Sequence, residues 1–158
     1  MQIGDLLTVD RIICNADVTS KKRALELISE LFSRSLNSEI TSKLVFESLI
    51  NRERLGSTGL GKGIAIPHAR IEGLHNASGI LIKLKEPISY DAIDGEPVDI
   101  LFALLVPEHY TDEHLNILAV LAEMFSDTQM CNTLRQHTTA EPMFNLLDDW
   151  TNSRNEQP

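Results

Sequence analysis

The sequence predicts a single α/β domain in which a mixed β-sheet is flanked by α-helices. Three observations carry this. The run Ile100-Leu101-Phe102-Ala103-Leu104-Leu105-Val106 is apolar without alternation, the pattern of a strand covered on both faces, and Pro107 ends it. Segments with apolar residues at helical spacing precede and follow it. Across 158 residues neither a repeat nor a shift of composition marks a boundary, so one core is expected. The domain is placed at residues 1–150, and the polar stretch 151–158 is expected to be a disordered tail.

Thr19 or Ser20 can cap a first helix reaching about Leu36, with Ala24, Leu25, Leu27, Ile28, Leu31 and Phe32 as its apolar face. Ser38 can cap a second, carrying Ile40, Leu44, Val45, Leu49 and Ile50 and stopping at Gly56. The next eight residues, Gly56 to Gly63, hold four glycines and read as a loop. Ile64-Ala65-Ile66 is a short strand that Pro67 stops, leaving His68 at a strand exit. Gly79 to Leu84 reads as another strand, turned by Lys85-Glu86-Pro87 into a third over Ile88 to Ile93, with a loop at Asp94-Gly95. After the central strand, Thr111 can cap a helix to about Phe125, Asp127 a shorter one to about Arg135, and Thr139 with Pro142 a last one to Trp150.

Bulk composition narrows the function. The chain is 42% hydrophobic and 23% charged, as a packed globule is. Its 23 acidic residues against 14 basic ones give a net charge of -9, which disfavours nucleic acid and anionic lipid as partners. Met1 to Asp10 has no basic start followed by an apolar run, and no stretch reaches the roughly 18 apolar residues of a membrane helix. The protein is therefore expected to stay in the cytoplasm without membrane insertion. Cys14 and Cys131 lack paired spacing and read as two buried, reduced thiols.

Of the five histidines, His75 and His137 read as surface or packed residues. His68 differs: it follows a proline at a strand end, shortly after a glycine-rich loop whose amides can point at an anion. An imidazole attacks phosphorus through one neutral nitrogen, so its other nitrogen must stay protonated against an acceptor that only the fold can place. Phosphoryl transfer otherwise needs alignment and charge stabilisation, for which Arg52, Ser57, Thr58 and His114 supply suitable groups. Spacing alone favours reading His114 as a surface residue of a first helical turn and Arg52 as a partner for helix-end carbonyls and the helix dipole.

Two competing motifs fail on their details. Gly56-x-x-x-x-Gly61-Lys62 has the outline of a nucleotide-binding loop, yet Gly63 stands where the magnesium-binding Ser or Thr belongs, and the segment leaves a helix for a strand rather than the reverse. His68, His109 and His114 could be drawn as a metal site, but the spacing of the last two does not put them on one helical face. No metal is expected.

The run Arg52-Glu53-Arg54-Leu55-Gly56-Ser57-Thr58-Gly59-Leu60-Gly61-Lys62-Gly63-Ile64-Ala65-Ile66-Pro67-His68-Ala69-Arg70 resembles the enzyme IIA components of the mannitol/fructose class of the bacterial phosphotransferase system. Within that class Ser20 to Glu26, Asp91 to Asp94 and Pro97 to Pro107 are similar to the nitrogen-regulatory branch, and the resemblance spans about Ile3 to Trp150. It implies a mixed sheet flanked by helices, phosphorylation of His68 on Nε2, a second active-site histidine at His114 and an arginine, Arg52, on the phosphoryl group. Ser57 and Thr58 are carried as phosphoryl-binding candidates. The implied donor is a small histidine phosphocarrier protein, charged by an enzyme I from phosphoenolpyruvate, with no tightly bound cofactor. The chain would be a phosphotransferase component that is not self-sufficient as an enzyme. With no IIB or IIC segment attached, a regulatory role toward potassium-transport or sensor-kinase targets is expected. The alternatives are a fructose- or mannitol-specific IIA feeding a separate IIB, and a regulatory binding module that is never phosphorylated.

Overall fold

The structure, a computed structural model, describes residues 1–156. The apolar run is a central strand: β6, counting strands in chain order, spans Val98–Pro107 and is paired along both edges. Ile100, Phe102, Leu104 and Val106 face one side of the sheet and Leu101, Ala103 and Leu105 the other, all fully buried. Side chains alternate along a strand, so a run with no polar alternation is what two covered faces require.

The sheet around it is mixed, as expected. β1 (Ile12–Ala16) is parallel to β5 (Ser78–Ile88), and β5 is antiparallel to β6. On the other edge of β6 lie β3 (Ile64–Ala65) and β4 (His68–Ile71), both parallel to it, with β2 (Gly59–Gly61) antiparallel to β3. Helices α1 (Lys21–Ser35) and α2 (Ser42–Arg54) supply the core on the Leu101 face through Leu25, Ile28, Phe32, Val45 and Leu49. The Phe102 face is covered by α3 (Asp112–Ser126), α4 (Thr128–Gln136), α5 (Ala140–Glu156) and the N-terminal turns that carry Ile3, Leu6 and Leu7. Burial of both faces supplies the main driving force for folding, at roughly 25 cal/mol per Å² of apolar surface removed from water.

Caps fix two helix starts where the sequence put them, whereas Thr111 precedes α3 as expected but its side chain makes no cap hydrogen bond. The Ser20 side chain accepts from Arg23 N–H and that of Asp127 from Met130 N–H. The second helix departs from expectation, starting at Ser42 rather than after Ser38. Asn37 Oδ1 takes the Glu39 N–H and Asn37 O the Ile40 N–H, so this stretch closes a turn, and Thr41 Oγ1 caps the helix through Leu44 N–H.

Other departures have local causes. Lys85-Glu86-Pro87 does not turn the chain: β5 runs on to Ile88, opposite Val98, and a register irregularity absorbs the proline. β1 has no counterpart in the sequence reading, being five residues long and broken by Asn15 at φ 59°. The last helix continues past Trp150 to Glu156, so the tail expected from residue 151 is helical over most of its length. There Thr151 is buried with its hydroxyl on the Leu147 and Asp148 carbonyls, and Arg154 pairs with Glu123. Residues 157 and 158 lie outside the described residues.

Because Thr41 rather than Ser38 satisfies the orphan amides of α2, Thr41→Ala should lower the unfolding free energy by about 1 kcal/mol in urea titrations. Ser38→Ala should leave it nearly unchanged.

Candidate functional site

The glycine-rich segment is a hairpin rather than a free loop. β2 and β3 are joined across Lys62 and Gly63, whose φ values of 57° and 85° give the left-handed pair that a two-residue hairpin turn needs. Such a turn has no helix to present phosphate-facing amides, so the nucleotide-loop outline stays a coincidence of spacing.

The short strand stops before Pro67 as expected, but a second strand on the same register resumes directly after it. Ala65 pairs with Leu101 and His68 with Leu104, the same offset on both sides of the proline, and the Pro67 carbonyl still accepts the Leu104 N–H at 2.9 Å. His68 is therefore the first residue of β4 and not a strand exit. Its ring is half-buried, and alternation puts Arg70 on the same face.

The free strand edge decides the chemistry of the ring. Ile66 N–H donates to the Thr58 carbonyl at 3.0 Å, and the Ile66 carbonyl lies 2.8 Å from His68 Nδ1. A carbonyl only accepts, so Nδ1 carries the proton and the lone pair of a neutral ring is on Nε2. Burial pushes the His68 pKa below its ordinary 6.5, with the Ile66 bond and Glu53 opposing that shift and Arg52 adding to it. At neutral pH His68 is an uncharged imidazole with a fixed tautomer.

His114, in the first turn of α3, packs edge-on to His68 with ring centroids 5.3 Å apart at 83°. Its Nε2 is buried without a hydrogen-bond partner. Burial lowers its pKa first, and the nearby His68, Arg70 and Arg52 lower it further. Arg52, near the end of α2, spends one N–H on the Gly56 carbonyl at 2.9 Å. Arg52, His68, Arg70 and His114 line two adjoining depressions of about 440 and 510 Å³. The sequence reading gave Arg70 no role, although His-x-Arg in a strand places both side chains on one face.

Ser57 and Thr58 sit beside His68 on a third depression of about 230 Å³. Their hydroxyl protons, however, point elsewhere. Ser57 Oγ donates to the Tyr90 carbonyl at 2.9 Å and accepts the Gly59 N–H at 3.1 Å. Thr58 Oγ1 donates to the buried carboxylate of Glu53, which also takes the Thr58 N–H. His109 stacks on Tyr110 instead of joining the pair, and among the described residues no group of three His, Cys, Asp or Glu side chains is placed to hold a metal ion. His75 is exposed, and His137 uses its carbonyl to receive Lys83 Nζ. Both cysteines are free; Cys131 is buried, but Cys14 is half-exposed, against the expectation of two buried thiols.

This geometry makes the proton inventory measurable. Nitrogen-15 spectra at pH 7 should show His68 protonated on Nδ1 and bare on Nε2, titrating below 6.5. The unfolded chain then binds protons before the folded one, so stability is full above about pH 6.5 and falls as pH drops through the folded pKa. A ring protonated on Nε2, or titrating above 6.5, would contradict the assignment.

No described helix is long and apolar enough to cross a membrane. The chain is 42% identical, over 98% of its own length and 99% of the relative's, to the nitrogen regulatory protein of Pseudomonas aeruginosa. Its fold superposes with a TM-score of 0.87 on the crystal structure of the nitrogen regulatory protein IIA-Ntr from Neisseria meningitidis, at 43% identity and covering 92% of this chain and 98% of that one. It also matches IIA mannitol from Escherichia coli at a TM-score of 0.74 over 89% and 98% of the two chains, where 18% identity speaks for the fold alone. The model of the phosphoenolpyruvate-dependent sugar phosphotransferase system EIIA 2 family matches residues 5–150. A match that spans nearly all of the 158 residues settles the affiliation, and the chain belongs to that EIIA 2 family.

Proposed function

We propose that this chain is a regulatory phosphocarrier whose His68 Nε2 accepts a phosphoryl group from a phosphorylated histidine carrier protein, itself charged through an enzyme I from phosphoenolpyruvate. The observation that carries the reading is the 2.8 Å contact of His68 Nδ1 with the Ile66 carbonyl. The Nε2 lone pair forms the new P–N bond while the donor's P–N bond breaks and its electron pair returns to the donor nitrogen. No proton has to leave the attacking atom. The ring becomes positively charged as it bonds phosphorus, with its proton on Nδ1, so the bond to Ile66 strengthens along the reaction.

Arg52 and Arg70 offset the charge of the incoming group. His114 Nε2, buried and unpartnered, gains the acceptor it lacks when phosphoryl oxygens arrive, and the dianion raises its readiness to donate. Ser57 and Thr58 shape the loop rather than contact phosphate, since their hydroxyl protons are already committed. Phosphorylation adds about -1.5 to -2 charges to an already acidic chain, enough to block or create a partner contact. The high identity to nitrogen regulatory proteins favours signalling in the cytoplasm, with potassium-transport or sensor-kinase systems as targets, over sugar transport.

Incubation with phosphoenolpyruvate, enzyme I and the histidine carrier should add one acid-labile, base-stable phosphoryl group by intact mass, absent in His68→Ala. Arg52→Ala and His114→Ala should each slow the transfer, by roughly 10²-fold for a lost charge-stabilising donor. Phosphate retained by His68→Ala would overturn the reading, and no uptake by the parent would point to a binding module. Efficient onward transfer to a fructose or mannitol IIB protein would point to the sugar-specific role.

A further inference from the structure

Glu53 is a carboxylate with 9% of its surface exposed, on the last turn of α2. Burying it costs desolvation that an apolar side chain of similar volume would avoid, so stability alone does not account for it. Its two oxygens accept from the Thr58 hydroxyl and from the Thr58 N–H, at 3.2 and 3.1 Å for the latter. Lys21 on α1 balances its charge, with Nζ at 3.7 Å, and Tyr90 closes the pocket, its hydroxyl 3.3 Å from Thr58 Oγ1 and its ring under the Lys21 ammonium.

From Thr58 the chain of bonds continues toward the reactive ring. The Thr58 carbonyl receives the Ile66 N–H, and the Ile66 carbonyl receives His68 Nδ1. The links act through position: Glu53 holds the Thr58 side chain and N–H, the Thr58 carbonyl holds the Ile66 N–H, and a residue pinned at its N–H presents its own carbonyl in a fixed place. We propose that Glu53 is a positioning residue for His68, acting through Thr58 and Ile66 to hold the carbonyl that fixes the ring. It touches no reacting atom. Lys21 and Tyr90 hold the carboxylate and Thr58 in place, and Arg52, the neighbouring residue, faces the depression from the same helix end.

This inference rests on the phosphocarrier reading, and the test separates the two. The rate of phosphohistidine formation is measured with phosphoramidate, a donor too small to depend on protein docking, alongside thermal melting. Thr58→Val removes the hydroxyl and Glu53→Leu both acceptors, and each should slow phosphorylation about 10-fold or more in a protein that still melts cooperatively. Thr58→Ser should restore the parental rate. The double variant should be no slower than Glu53→Leu alone, because both changes cut one link. Parental rates in Thr58→Val and Glu53→Leu, or effects that multiply in the double variant, would overturn the positioning role while leaving the phosphocarrier standing. A parent that takes no phosphoryl group from either donor overturns both. Should Glu53→Leu fail to fold, the contrast between Thr58→Val and Thr58→Ser decides.

Discussion

One hydrogen bond, from His68 Nδ1 to the Ile66 carbonyl, determines which ring nitrogen keeps its lone pair, and the surrounding strands leave that carbonyl available. A strand carbonyl inside a sheet would be occupied by its neighbour. Here Pro67 keeps β3 and β4 in one register against β6, while Ile66 points its polar groups to the open side of the ladder. The edge hairpin takes the Ile66 N–H through Thr58 and leaves the carbonyl for the imidazole. The buried core holds this arrangement rigid: Ile64, Ala65 and Ile66 are anchored on both sides of the sheet, so the ring hangs from a fixed backbone.

Electrostatics around the ring complement that fixed tautomer. Burial, with Arg52 beside both rings and Arg70 beside His114, keeps both histidines uncharged at neutral pH. The same guanidinium groups form a local cationic patch on a chain of net charge -9, so an anion is drawn to this face and away from the rest. Under the proposed function, a phosphoryl group bound here would reverse the local field without any need to move the backbone, which suits a partner that reads electrostatics.

The sequence made the central elements legible because their signals are local. β6 is an unbroken apolar run, α1 has its cap and stripe, and His68 follows Pro67 behind a glycine-rich segment. Other parts depend on partners distant in the chain. Whether Lys85-Glu86-Pro87 turns or continues is decided by Val98 opposite Ile88, and whether pairing resumes after Pro67 by the common offset against β6. β1 gains its identity only from the neighbouring β5. At the site, residue types pointed to Ser57 and Thr58 as phosphate ligands, but Tyr90 and Glu53, 33 and 5 residues away respectively, claim those hydroxyls. Arg70 was readable from strand alternation once β4 was known to begin at His68.

The most direct test of the account is phosphorus NMR of the phosphorylated, nitrogen-15-labelled protein. Coupling of the phosphorus to Nε2 of His68, with the proton retained on Nδ1, is the predicted result. Phosphate on Nδ1 would mean that the ring leaves the Ile66 carbonyl to react, and would contradict the claim that this bond selects the nucleophile.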